Sequence, residues 1–139
     1  MLIDRSTPFG ERVQRRLQED LIAWLTTVGA DGTPQPSPIW FLWDGETVLI
    51  YSKPGTPKLR NIARHPRVAL NLDSDGSGGD IVILTGDARV IANPPPVEEV
   101  AAYIEKYRDG IAGIGMTTTS FSEAYSSAVQ MTPASLRGF

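Results

Sequence analysis

The densest chemistry in the chain lies in residues 51–70, YSKPGTPKLRNIARHPRVAL, where Lys53, Lys58, Arg60, Arg64 and Arg67 occur with no Asp or Glu between Glu46 and Asp73. Thr56 followed by Pro57 reads as an N-cap and first helical residue, because the fixed φ of proline suits that position and its missing N–H costs nothing there. The first turn of such a helix already carries partial positive charge from unpaired N–H groups. Lys58 and Arg60 should therefore each cost roughly a few tenths of a kcal/mol. A phosphate or polycarboxylate at the helix start would offset that cost, with Lys53 reaching it from just before the Pro54-Gly55 turn. The competing reading is a solvated basic helix in which Arg64 and His65 complement the helix C-terminus. It accounts for Arg64 and leaves Lys58 and Arg60 unexplained. Leu59, Ile62 and Ala63 are expected on the core side of this helix, with Arg60 and Arg64 together on another.

Composition narrows the remaining chemistry. There are no cysteines, which excludes disulfides, thiolate zinc sites and a cysteine nucleophile. The single histidine, His65, sits before Pro66 at a helix end and is expected to be structural, so neither a His-built metal site nor a Ser-His-Asp triad is expected. The net charge of −3 lacks the basic field that accompanies nucleic-acid binding, and no nucleic-acid partner is expected. No apolar run reaches bilayer-spanning length, and MLIDRSTPFGERV lacks a signal-peptide hydrophobic region. A cytoplasmic protein with no membrane partner is expected. At 139 residues and 41% hydrophobic, the chain supports one domain over residues 1–139.

The elements that must carry these residues are mostly strands. Residues 8–20 predict an amphipathic helix with Phe9, Val13, Leu17 and Leu21 on its apolar stripe and Arg12, Arg15 and Arg16 on its solvent face. Residues 22–28, 34–42 and 47–52 alternate with two Asp-Gly pairs, Asp31-Gly32 and Asp44-Gly45, which predicts a three-stranded antiparallel meander. Pro34, Pro36 and Pro38 cannot donate to a ladder, so their N–H side must face a rim or a cavity. Residues 67–72 and 80–92 predict two more strands, the latter bent at Gly86, and residues 128–131 a sixth before the tail SLRGF. Residues 97–107 predict a helix, and Ser120 with Glu123 a capping box for a shorter one. Residues 110–119 read as an ordinary connection in preference to a mobile lid. Trp24 and Trp43 are assigned to core and turn packing. Six short strands with few helices favour a barrel over a doubly wound sheet.

In that order, Asp31-Gly32-Thr33-Pro34-Gln35-Pro36, Trp40-Phe41, Lys58-Leu59-Arg60-Asn61-Ile62 and Pro66-Arg67-Val68-Ala69 resemble the pyridoxamine 5′-phosphate oxidase superfamily. Within it, the similarity is to the branch of F420-dependent flavin/deazaflavin oxidoreductases, and it covers nearly the whole chain. The resemblance implies a mostly β fold, a six-stranded antiparallel split β-barrel of the FMN-binding type. It also implies a homodimer with cofactor sites at the subunit interface. By the same resemblance, the cofactor ring would lie near Gln35, Ser37, Pro38, Trp40, Tyr51 and Ser52. The phosphate and acidic tail would meet Lys53, Thr56, Lys58, Arg60 and Asn61. Core packing remains open for Trp40 and Tyr51, and satisfaction of backbone beside the prolines remains open for Gln35 and Ser37.

The implied cofactor is F420, with FMN as the alternative. FMN brings one phosphate, whereas the F420 tail adds carboxylates, and the grouping of Arg60 with Arg64 favours the longer tail. The implied activity is a reductase passing hydride from reduced deazaflavin to an activated double bond or similar electrophile of a small molecule. The cofactor carries the hard step, so no catalytic side chain is assigned. Tyr51, Tyr103, Tyr107 and Tyr125 all remain open as proton donors. Alternatives are an FMN-dependent oxidoreductase and a non-catalytic carrier of a flavin or a haem-related tetrapyrrole.

Overall fold

Two prolines open the helices that flank the first half of the sheet. In a computed structural model describing residues 2–139, Pro8 begins α1 (Pro8–Glu19), whose N-cap Thr7 accepts from the Gly10 N–H, and Pro57 begins α2 (Pro57–Arg64). The strands are β1 (Ala23–Val28), β2 (Pro34–Ile39), β3 (Leu42–Trp43), β4 (Val48–Ser52), β5 (Arg67–Leu72), β6 (Val82–Val90) and β7 (Ser127–Gly138). A 3-10 turn (Val97–Glu99) leads into α3 (Ala101–Gly113) and α4 (Thr118–Ala124).

All neighbouring strands are antiparallel, in the order β2-β1-β5-β6-β7-β4-β3. The expected meander does not form. The Asp31-Gly32 turn joins β1 to β2 as predicted, but the Asp44-Gly45 turn closes a hairpin between β4 and the two-residue β3. This adds a seventh strand to the six expected, because Trp40 and Phe41 leave the sheet and split the predicted residues 34–42. Only those two residues separate β2 from β3, so the outermost strands lie within about 11 Å of each other along the chain. Among the described residues, the mostly β sheet therefore curls into a half-barrel with four peripheral α-helices.

Strand alternation sends one face inward. Leu25, Leu70, Leu84, Val48, Ile50 and Met131 form the main core with Val13 and Leu17 of α1, and all eight are fully buried. The hairpin bond from the Gly29 N–H to the Thr33 carbonyl sets the ladder phase. Residues 35, 37 and 39 then face β1, and the three prolines of β2 turn their missing donors to the free edge. The expected open rim is this edge.

Gly86 bends β6 as expected, with a register shift against β7 at Thr85/Gly86. A Cβ there would lie 2.1 Å from the Thr132 carbonyl oxygen. β7 is far longer than residues 128–131, because the tail pairs with β6 through Ile83↔Arg137. The half-exposed stretch from Thr132 onward lacks the alternation that would have marked it as strand.

α3 runs to Gly113, past the expected end at 107, and α4 is capped by Thr117 with Ser120 in place of the Ser120/Glu123 box. Tyr103, Ile104, Tyr107, Ile111 and Phe121 from these helices form a second apolar cluster with Tyr51 and Ala128. β4 is thus buried on both faces. On α1, Arg12 and Arg16 are not solvated as expected. Arg12 bonds Asp80 at 2.9 Å, while Arg16 pairs with Asp20 and Asp80 and donates to the Asp80 and Asp73 carbonyls. Trp43 is core, but Trp24 lies on the outer sheet face, its indole N–H donating to Asp73.

Candidate binding cleft

The ends of β2 and β4 and the start of α2 open onto one cleft of about 490 Å³, roofed by α3 and α4. That volume suits a small-molecule ligand. The cleft has a cationic end and an aromatic end.

The cationic end is built by the Thr56-Pro57 helix start. Thr56 adopts the extended N-cap conformation but makes no side-chain cap bond to its own helix. Its hydroxyl lies 3.0 Å from that of Ser52, which already donates to the Lys53 carbonyl at 2.8 Å. A hydroxyl has one proton, so Thr56 is the donor to Ser52. Lys58 projects from the first turn into the cleft, half-buried and without an ion pair among the described residues. Burial pulls its pKa below the ordinary lysine range. A cation that is desolvated, uncompensated by acid and placed at the positive end of a helix calls for an anion.

The other basic residues behave differently. The Arg60 guanidinium is exposed and donates to the Gly55 carbonyl at 2.6 Å, outside the cleft lining. Asn61 is buried, donates to Thr27 and Gln35, and accepts from Arg64 at 2.9 Å. This network ties α2 to β1 and β2. Asn61 takes the core-facing place expected for Ala63, which is exposed. Of the sequence-derived site residues, the structure gathers Pro38, Trp40, Tyr51, Ser52, Lys53, Thr56 and Lys58 into the lining, and Gln35, Ser37, Arg60 and Asn61 fall outside it.

At the aromatic end, four rings stack in near-parallel order. Tyr107 lies 4.7 Å from Trp40 at 6°, Trp40 lies 5.6 Å from Phe121 at 20°, and Phe121 lies 4.2 Å from Tyr125 at 16°. Gly110 makes room for the column, since a Cβ there would lie 3.1 Å from the Trp40 ring. The link that carries Trp40 is clamped by α3. The Tyr107 hydroxyl accepts from the Phe41 N–H, and the Lys106 ammonium donates to the Phe41 carbonyl. Trp40 is therefore both packed and part of the cleft wall.

The four tyrosines are now distinguishable. Tyr51 donates to the Pro95 carbonyl at 2.7 Å, and Tyr107 has Leu21 and Phe41 carbonyls as acceptors. Tyr103 makes no side-chain hydrogen bond among the described residues, although only 1% of the residue is exposed. Among the described residues no buried side-chain polar atom lacks a partner, so the Tyr103 hydroxyl retains some exposure, and the residue lines the cleft. Burial and the neighbouring tyrosines push its pKa far up, which keeps it a protonated donor. Sequence reasoning missed Ile22, Ile39, Ile114 and Phe121 as lining residues. The i,i+4 spacing of Tyr103 with Tyr107 and of Phe121 with Tyr125 was a usable signal for the roof.

Residues 9–138 match the family model described as pyridoxamine 5′-phosphate oxidase. Among solved structures, an F420 reductase is 25% identical, covers 89% of this chain and 94% of its own, and superposes with a TM-score of 0.72. A conserved hypothetical protein from Mycobacterium tuberculosis is 21% identical, with 91% and 81% coverage and a TM-score of 0.71. HutZ, the heme storage protein from Vibrio cholerae, is 14% identical, with 95% of each chain covered and a TM-score of 0.66. The last two similarities show the shared fold.

Proposed function

The chain belongs to the pyridoxamine 5′-phosphate oxidase family, and on that premise we propose that it is an F420-dependent reductase acting on an activated double bond or similar electrophile of a small molecule. The observation that carries this reading is the half-buried, unpaired Lys58 at the start of α2, beside an aromatic wall. The lining chemistry fits a cofactor with an anionic arm and a planar ring. Similarity to the F420 reductase supports the deazaflavin over other rings.

Lys58 and the N-terminus of α2 would hold the anionic arm through an ammonium and a set of N–H dipoles. Pro38, Trp40 and Tyr51 line the cleft and would border the ring and exclude water from it. When bound, reduced F420 supplies the hydride that the acceptor takes up together with a proton. Tyr103, which lines the cleft, would serve there as a hydrogen-bond donor. A protein nucleophile is unnecessary, in keeping with the absence of cysteine. The reading includes a homodimer in which a second chain covers the open side of the cleft near the half-exposed Ile114.

One observation favours FMN as the second reading. Lys53 and Lys58 are the cations of the lining, and Arg60 and Arg64 are engaged elsewhere, so the cleft matches one phosphate as well as it matches a longer acidic tail. The two are separated by mixing the protein anaerobically with menadione or cyclohex-2-enone and either reduced F420 or reduced FMN. Protein-dependent oxidation of F420 supports the proposal, and oxidation of FMN alone moves the activity to the second reading. No acceleration with either overturns both as reductases.

A further inference from the structure

The aromatic column ends on a ring with a cation over it. Phe121 stacks on Tyr125 at 4.2 Å, and Lys53 Nζ lies over the Tyr125 ring, 5.7 Å from its centroid. Tyr125 is half-buried, and Lys53 is exposed and has no carboxylate partner among the described residues. Among the described residues no Asp or Glu lines this cleft, and Ile114 borders it with 52% of its surface exposed. Lys58 serves the helix start, while Lys53 stands over the ring. The cleft thus carries two lysines on different elements of its wall, one after β4 and one on α2.

We infer that the outer face of Tyr125 together with Lys53 forms the acceptor subsite, and that its occupant is a planar conjugated carboxylate. A flat ring extends the column by one member, displacing the flexible Lys53 side chain sideways, where its ammonium meets the carboxylate. A saturated ligand would lose the stacking, and a cationic one would meet two lysines and no acid. The inference rests on the reading of the α2 end as the cofactor's anion site, because that reading leaves Lys53 for the acceptor.

The test is calorimetric titration of the full-length protein with 2-naphthoate and with 2-naphthylmethanol, which share a ring and differ in charge. Naphthoate should bind at least about fivefold more tightly, an exposed lysine contributing less than a buried one. Lys53→Met should abolish that difference. Tyr125→Leu should weaken both probes about two- to tenfold, with folding checked by circular dichroism. Equal affinities in the wild-type protein, or unchanged affinities in Tyr125→Leu, would overturn the subsite. So would loss of the preference in Lys58→Met with retention in Lys53→Met, which would put naphthoate at the helix start. F420 and FMN are titrated on the same preparation. Absence of cofactor binding with the naphthoate pattern intact would remove the cofactor reading and leave the subsite. Cofactor binding with no naphthoate preference would remove the subsite alone.

Discussion

Lys58→Met should weaken cofactor binding and leave the free protein as stable as before, or more so. The two effects have different origins. Lys58 is half-buried with no acid beside it, and burial alone lowers its pKa, so in the free protein its charge is a cost. Methionine keeps the apolar length of the side chain and removes the charge. With an anion bound, the same ammonium contributes a charge-assisted hydrogen bond of about 1.5–3 kcal/mol, so the variant's affinity should fall about 10- to 150-fold. The pH dependence has a definite sign. A lysine whose folded pKa is depressed below its unfolded value destabilises the fold at neutral pH, and stability recovers as pH rises through the folded pKa toward the unfolded one. The wild-type protein should show that alkaline rise from this group, and Lys58→Met should lack it. Fluorescence titration gives the affinity, and thermal melts across pH give the stability. Unchanged affinity in a folded variant would return the basic helix to a solvated surface. A marked loss of stability would mean that Lys58 is structurally compensated, contrary to the reasoning. Arg60→Ala is the comparison, since Arg60 is exposed and bound to Gly55, and its effect on FMN affinity should stay below about threefold.

Gly110→Ala would place a Cβ 3.1–3.2 Å from two Trp40 ring atoms, so it should push the indole and weaken cofactor binding severalfold in the same titration. A cost of about 1 kcal/mol in urea denaturation should accompany it. Gly86→Ala meets main-chain atoms, with Thr132 O at 2.1 Å, and should cost about 3 kcal/mol by the same assay. Asp44 accepts from the Glu46 and Thr47 N–H groups at 2.8 and 2.7 Å. Burial alone would raise its pKa, but these bonds outweigh it and the net shift is downward. Its stabilisation is therefore complete above the ordinary carboxylate range and lost as pH falls through the lowered value. Asp44→Ala should cost about 1 kcal/mol at pH 7, after allowance for exposure, and acid melts should show the difference closing.

Local signals were legible where one residue type forces a backbone state. Thr56-Pro57 gave the start of α2, the prolines of residues 34–38 gave a free edge, and Gly86 gave the bend in β6. The same was true of Lys58, whose charge conflicts with its place in the helix. Long-range partners were less legible. Asp44-Gly45 marked a hairpin truly, but nothing local said that its first strand would be Leu42–Trp43 at the far end of the sheet. The tail 132–138 was hidden because half-exposed residues carry no alternation, although pairing with β6 holds it. The aromatic roof was hidden for a related reason. Tyr103 and Tyr125 stood in the sequence only as open proton donors and Phe121 carried no assignment, and the packing of α3 and α4 over Trp40 turns them into a wall.

The most direct test of the cleft as a cofactor site is parallel fluorescence titration of the purified protein with F420 and FMN. Micromolar or tighter F420 binding, much tighter than that of FMN and lost in Lys58→Met, is the predicted result. Failure of both cofactors to bind the folded protein would contradict it.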